Sequence, residues 1–475
     1  MLLKYKESFK FILLFIVFAG ILFACGKSDN PVVDPTDDII VDPVDDDPNP
    51  TGFLGEVDFI KTYGGSDEDV AIAVVQSNDG NYLVLGSTKS VDGDLTGRPD
   101  QGNDYWLLKI DPNGAKIWSK TYGGSEDDVA SSLVKTNDGG YIISGYSRSS
   151  DGDISENAGF QDFWLVKTDS SGNIQWEKTH GFPGSDQAFK IFETSEGNFF
   201  ATGFFDVGAC GVDLCDGNDF QGNIDANRAA QHGVGEFWGI LMDASGNKIW
   251  RRYFGGSLND RAYDALQTND GGFLLAGQSE SFDFDITDDK GSYDFWLVRL
   301  DANGNKLWTK SFGGSEIDQG YAVTKTPDGN YIMVGDTRSI DQDVSSSHGG
   351  GDAWAIKFND SGNKIWEKTY GGSAFDSARS IKPLANGGYL ISGFTRSTDG
   401  DVTANYGENE LWVFMINENG VLTFQKSFGG SALDFGYSAI QTTDNKVLLV
   451  GNTESIDFDI PLNRGIKDLI VIKLK

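Results

Sequence analysis

Hydrophobic residues in this chain come in short bursts with a period of two, each ended by a cluster of Gly, Asn, Asp or Ser. That pattern predicts strands and tight turns, and no stretch of the repeating region has helical spacing. One unit shows the order. Val129–Val134 reads as a strand, stopped by the hairpin turn Asn137-Asp138-Gly139-Gly140, and Tyr141–Gly145 returns as a second. A polar loop from Ser149 to Gln161 leads to Asp162–Lys167, and the turn Asp169–Gly172 to Ile174–Lys178. Four antiparallel strands result.

The unit recurs. An aromatic residue followed by Gly-Gly-Ser opens it at Tyr63, Tyr122, Phe254, Phe312, Tyr370 and Phe428, with a degraded copy at His180-Gly181-Phe182-Pro183-Gly184-Ser185. The Asp that follows falls at Asp69, Asp128, Asp186, Asp260, Asp318, Asp376 and Asp434. Five of the six spacings are 58 or 59 residues and one is 74. Four strands at such a period predict a propeller blade. The first and last copies are cut at complementary points: Val57–Thr62 matches a fourth strand and Asp468–Lys473 a third. An open stack would leave both as bare sheet edges, whereas a ring joins them into one blade. The expected fold is all-β, a seven-bladed β-propeller closed by the N-terminal strand.

All eleven Trp residues fall on two positions of the unit, third strands (Trp106, Trp164, Trp238, Trp296, Trp354, Trp412) and fourth strands (Trp118, Trp176, Trp250, Trp308, Trp366). Repetition at equivalent sites favours packing between blades over a carbohydrate platform. The residue two past each repeat Asp is always Ala or Gly, as if first strands crowd the axis and leave room there only for small side chains. The succession Gly-Gly-Ser-x-x-Asp-x-Ala, Asp-Gly-Gly-Tyr, Gly-x-Thr-x-Ser-x-Asp and Asp-x-Trp-x-x-Lys-x-Asp resembles the bacterial SBBP beta-propeller repeat, most completely from Gly255 to Asp301. The resemblance implies a secreted seven-bladed propeller and no particular reaction.

The N terminus carries a different signal. Lys4, Lys6 and Lys10 precede an apolar run from Phe11 to Ala24, shorter than a membrane span needs. Leu22-Phe23-Ala24-Cys25 resembles a lipobox, which makes 1–24 a lipoprotein signal peptide and Cys25 the residue that carries lipid, palmitate included. Residues 25–55 then read as an Asp/Pro-rich disordered tether, and 56–475 as the propeller. Lys27-Ser28-Asp29 resembles the surface-export signals of Bacteroidetes lipoproteins. The expected location is the outer membrane or cell surface, with the protein held as a monomer by its lipid.

A net charge of −33 excludes a nucleic-acid partner, whose phosphates need a basic footprint. With Cys25 lipidated, Cys210 and Cys215 remain, and a disulfide is favoured over a zinc site drawing on Asp213 and His232. Six long loops carry Asp-x-Asp pairs: Asp92/Asp94, Asp151/Asp153, Asp283/Asp285, Asp341/Asp343, Asp399/Asp401 and Asp457/Asp459. These could hold Ca²⁺, the one cofactor considered, but a turn-building role is favoured because Asp bonds neighbouring backbone. The seven repeat Asp are likewise expected to accept N–H groups of the Gly-Gly-Ser turns.

No catalytic constellation stands out among the three His, and no nucleophile or phosphate motif is present. Seven-fold regularity is broken most visibly in blade 3, where an insertion at about 206–235 holds Asp213, Asp216, Asp219, Asp225, Arg228 and His232. These form the expected binding site. The function expected is a non-enzymatic envelope lipoprotein presenting the propeller to a protein or glycan. The alternative is a carbohydrate-active enzyme, glycosidase or lyase, using carboxylates of the loop-rich face.

Overall fold

The computed structural model describes residues 53–98, 102–206, 233 and 235–475. Among them, twenty-eight strands, β1 to β28 in chain order, form seven four-stranded antiparallel sheets. Blade 1 is β2 (Asp69–Gln76), β3 (Tyr82–Thr88), β4 (Asp104–Ile110) and β5 (Lys116–Tyr122), and five further blades repeat that order. Their first strands are β6 (Asp128–Lys135), β10 (Gln187–Glu193), β14 (Asp260–Gln267), β18 (Asp318–Lys325) and β22 (Asp376–Pro383). The seventh takes β26 (Asp434–Gln441), β27 (Val447–Thr453) and β28 (Asp468–Leu474) from the C terminus, and β1 (Val57–Tyr63) from the other end. Lys61 pairs with Val471 and Tyr63 with Leu469, so the severed unit is made whole.

Second and third strands are buried along their whole length except at Tyr146 and Met415, as expected of strands covered on both faces. The third-strand Trp residues are buried and pack on the third strand of the preceding blade. Ring centroids are 4.5 Å apart for Tyr105–Trp164, 4.6 Å for Phe163–Trp238 and 4.4 Å for Phe237–Trp296. Fourth-strand Trp residues are half-buried. Trp118, Trp250 and Trp366 each lie over the turn glycine of the next blade, at Gly172, Gly304 and Gly420. Both Trp positions therefore join blades.

The first strands depart from the expectation. Each carries a β-bulge three residues past its Asp: Ala71 pairs with Gly86 and Ala73 with Leu85, leaving Ile72 unpaired. The same slip recurs in all seven sheets. The small residue before the bulge packs against the preceding blade, where Ala130 N–H donates to Ser87 Oγ at 2.9 Å. It is the bulged residue that turns to the axis, and five of the seven are large. The bulge also explains a glycine in every second strand. A Cβ on Gly145 would run into the Val129 carbonyl that the bulge pushes across, and Gly86, Gly203 and Gly277 stand in the same relation to their partners.

Candidate functional site

Two regions concentrate chemistry: the loop face and the axial cavity. On the loop face, each Gly-Gly-Ser turn is tied down by carboxylates. Asp69 Oδ2 accepts the Gly65 N–H at 2.7 Å and the Ser90 hydroxyl at 2.7 Å, and Thr88 donates to its other oxygen. Asp92 Oδ1 accepts the Ser66 N–H at 2.7 Å, and Asp94 Oδ2 the Gly64 N–H at 3.2 Å. Asp151, Asp283, Asp341, Asp399 and Asp457 repeat the first of these two bonds. Asp153, Asp285, Asp343 and Asp401 repeat the second, and the Asp459 N–H donates to Gly429 O. The Asp-x-Asp pairs and the repeat Asp thus build the loops, in the role the turn chemistry favoured.

A second acidic ring escaped the sequence reading. Asp104, Asp162, Glu236, Asp294, Asp352, Glu410 and Asp468 open the third strands, all buried. Each faces a repeat Asp of the following blade across the first glycine of the phrase. A Cβ on Gly123 would strike both Asp104 and Asp128, and one on Gly313 both Asp294 and Asp318. Burial pushes Asp294 up to about 7, with the Asp318 charge adding, and Asp468 up to about 6, with Asp69 adding. The spacing of Asp-x-Trp was visible, but not that two carboxylates from different blades would meet.

The broken copy of the phrase proves to be a structural variant. His180 takes the place of the tyrosines whose hydroxyls bond the next blade: Tyr122 to Gly172 O at 2.7 Å, Tyr370 to Gly420 O at 2.7 Å. Its Nε2–H donates to Gly246 O at 3.3 Å, and burial lowers its pKa to about 4, so the ring is neutral. The Phe182 N–H bonds Asp186 at 2.6 Å. Phe205 stands where the other blades offer Thr or Ser, and burial lifts Asp186 to about 8. Beside this copy, a cleft of about 490 Å³ is lined by Glu156, Asp162, His180 and Arg251. Cys25, Cys210, Cys215, Asp213, Asp216, Asp219, Asp225, Arg228 and His232 lie outside the described residues.

Above the carboxylate frame the loops present aromatic side chains. The residue between the paired Asp is left-handed, which suits Gly93, Gly152 and Gly400 at φ of 58°, 66° and 67°. In three blades it is Phe284, Gln342 or Phe458, at 52°, 53° and 52°. Phe458 is 64% exposed and stacks on Tyr406 of the neighbouring blade, 49% exposed, with centroids 4.6 Å apart and planes 6° from parallel. Ile456 next to it is 74% exposed.

The axial cavity, about 700 Å³, is lined from all seven first strands. Its bulge residues are Ile72, Ser131, Phe189, Tyr263, Tyr321, Arg379 and Tyr437. Phe189, Tyr263 and Tyr321 follow one another at centroid distances of 4.9 Å and 5.3 Å, and the Arg379 guanidinium caps Tyr321 at 3.6 Å. Nothing in the small-residue pattern pointed to these side chains, because a bulge has no signature in a period-two reading.

No family model matches the chain. The regulatory protein FlaEY of Caulobacter vibrioides is 25% identical over 235 residues, covering 47% of this chain and 23% of FlaEY, so the chain spans under a quarter of that relative. Among solved structures, the WD40 β-propeller domain of Doa1 is 13% identical and covers 90% of this chain and 97% of its own, with a TM-score of 0.47. The Pan2 WD40 domain of Neurospora crassa is 9% identical, covering 87% and 95%, with a TM-score of 0.46. A protein of unknown function from Bacteroides caccae is 11% identical, covering 76% and 94%, at 0.38.

Proposed function

We propose that this protein is a non-enzymatic, lipid-anchored envelope protein of the SBBP repeat type that binds a protein or glycan partner through its loop face. The observation that carries this reading is Phe458. A bulky residue in the left-handed region costs about 1–3 kcal/mol, and glycine serves at the equivalent position in other blades. The strain gains little burial, since the ring is mostly exposed and, among the described residues, stacks on Tyr406, itself exposed. A stacked aromatic pair on a rigid frame suits sugar rings and protein side chains alike. The anchor would be Cys25, placing a monomer at the outer membrane or cell surface behind an acidic tether. Among the described residues no helix is long and apolar enough to cross a membrane.

The test is capture from envelope extracts by the purified propeller, compared with Phe458→Gly and Tyr406→Ala. A partner retained by the wild type and lost by both variants supports the reading, and equal capture by all three defeats it. Membrane retention of Cys25→Ala would defeat the anchor. A second reading, glycosidase or lyase, draws on the cleft where Glu156 and Asp162 stand with Arg251 and His180. Polysaccharide cleavage by the wild type and not by Asp162→Asn would favour it.

A further inference from the structure

Around the axial cavity the charge balance of this molecule reverses. Over the whole chain, 71 Asp and Glu outnumber 38 Lys and Arg. The cavity is lined instead by Lys135, Lys190, Arg379 and Lys382 against one carboxylate, Asp264. That carboxylate is already engaged. Its Oδ1 is 2.8 Å from Lys190 Nζ, and its Oδ2 accepts the Val323 N–H at 3.0 Å. Lys135 donates to Asn78 Oδ1 at 2.9 Å. Arg379 lies over Tyr321, and the buried Asp336 beside it accepts the Ser377 hydroxyl at 2.7 Å.

Lys382 makes no hydrogen bond or ion pair among the described residues. It is exposed towards the cavity it lines, and the neighbouring Lys190 charge lowers its pKa to about 8. Four cations line the cavity against the single carboxylate Asp264, which Lys190 already holds, and like charges so gathered are unfavourable until an anion joins them. A cavity of this volume has the size of small-molecule sites, and four of the seven bulge residues on its wall, Phe189, Tyr263, Tyr321 and Tyr437, are aromatic.

We propose that the axial cavity binds a small organic anion, its carboxylate or phosphate head between Lys190 and Lys382 and its planar body against Phe189, Tyr263, Tyr321 and Tyr437. The site is separate from the loop face and does not depend on the partner argued above.

Calorimetric titration of the full chain with phthalate, phenyl phosphate and inorganic phosphate tests it. One equivalent of at least one planar anion is expected to bind more tightly than inorganic phosphate, and which of the two binds better identifies the head group. Lys382→Met should weaken binding about tenfold, the order of one charge-assisted contact. Lys382→Arg should retain it, and Phe458→Gly should leave it unchanged. Affinity should also fall between pH 7 and pH 9, as Lys382 loses its proton beside Lys190 and Asp264. Absence of heat with both planar anions at millimolar concentration, or equal affinity in Lys382→Met, would overturn the proposal.

Discussion

Gln76 Oε1 accepts the backbone N–H of Thr443 at 2.8 Å, across 367 residues of sequence. Gln76 ends the first strand of blade 1, and Thr443 lies in the turn after the first strand of blade 7. The same strand-end position reaches back to the preceding blade elsewhere: Glu193 to the Asn137 N–H, Gln267 to the Ser195 N–H and Gln441 to the Ala385 N–H. The join between the ends of the chain is thus made like the joins within it. Gln76→Ala should lower stability by ~0.5–1.5 kcal/mol, the worth of one such bond. A midpoint unchanged in urea melts would show that this bond adds nothing to closure.

Asp186 should make the protein less stable in mild alkali. Its folded pKa of about 8 exceeds the unfolded value near 3.8, so the folded state binds the proton more tightly. Stability from this group is full below about pH 4 and declines as pH rises to about 8. Asp186→Asn should flatten that decline and be the more stable protein at pH 8, by ~1–3 kcal/mol. Parallel pH profiles for the two proteins would contradict this.

Phe458→Gly should raise the melting temperature while impairing capture of the partner, because it releases left-handed strain of ~1 kcal/mol or more. Calorimetric scans decide it. A drop in melting temperature would mean that the Tyr406 stack outweighs the strain.

Gly145→Ala should be costly although it adds one methyl group. The new Cβ meets the Val129 carbonyl, which is fixed backbone, and forcing the bulge aside should cost ~1–3 kcal/mol. Chemical denaturation would report it. A neutral result would show the bulge to be soft.

The architecture was legible because it is written in repetition. Fifty-eight-residue spacing, turn dipeptides and two cut ends led directly to seven blades and to β1 closing on β28. Burial of the third-strand Trp residues and the capping roles of Asp69 and Asp92 followed from elementary turn and packing chemistry. The lumen was not legible. Ala71 and its mates were read as the residues at the axis, but an unpaired residue at Ile72 shifts the facing side chain by one. The Asp294–Asp318 encounter was hidden for another reason: its members belong to different blades, and a repeat shows what each unit contains before it shows what neighbours share.

The bulge has one more consequence. Its kink is held by backbone and by the glycine opposite, while the side chain it projects adds contacts of its own, Phe189 with Phe204 and Arg379 with Phe394. Seven such positions form a short alphabet read around a circle, here Ile, Ser, Phe, Tyr, Tyr, Arg and Tyr. Spelling a different ring would alter what the lumen admits and leave the ring itself standing.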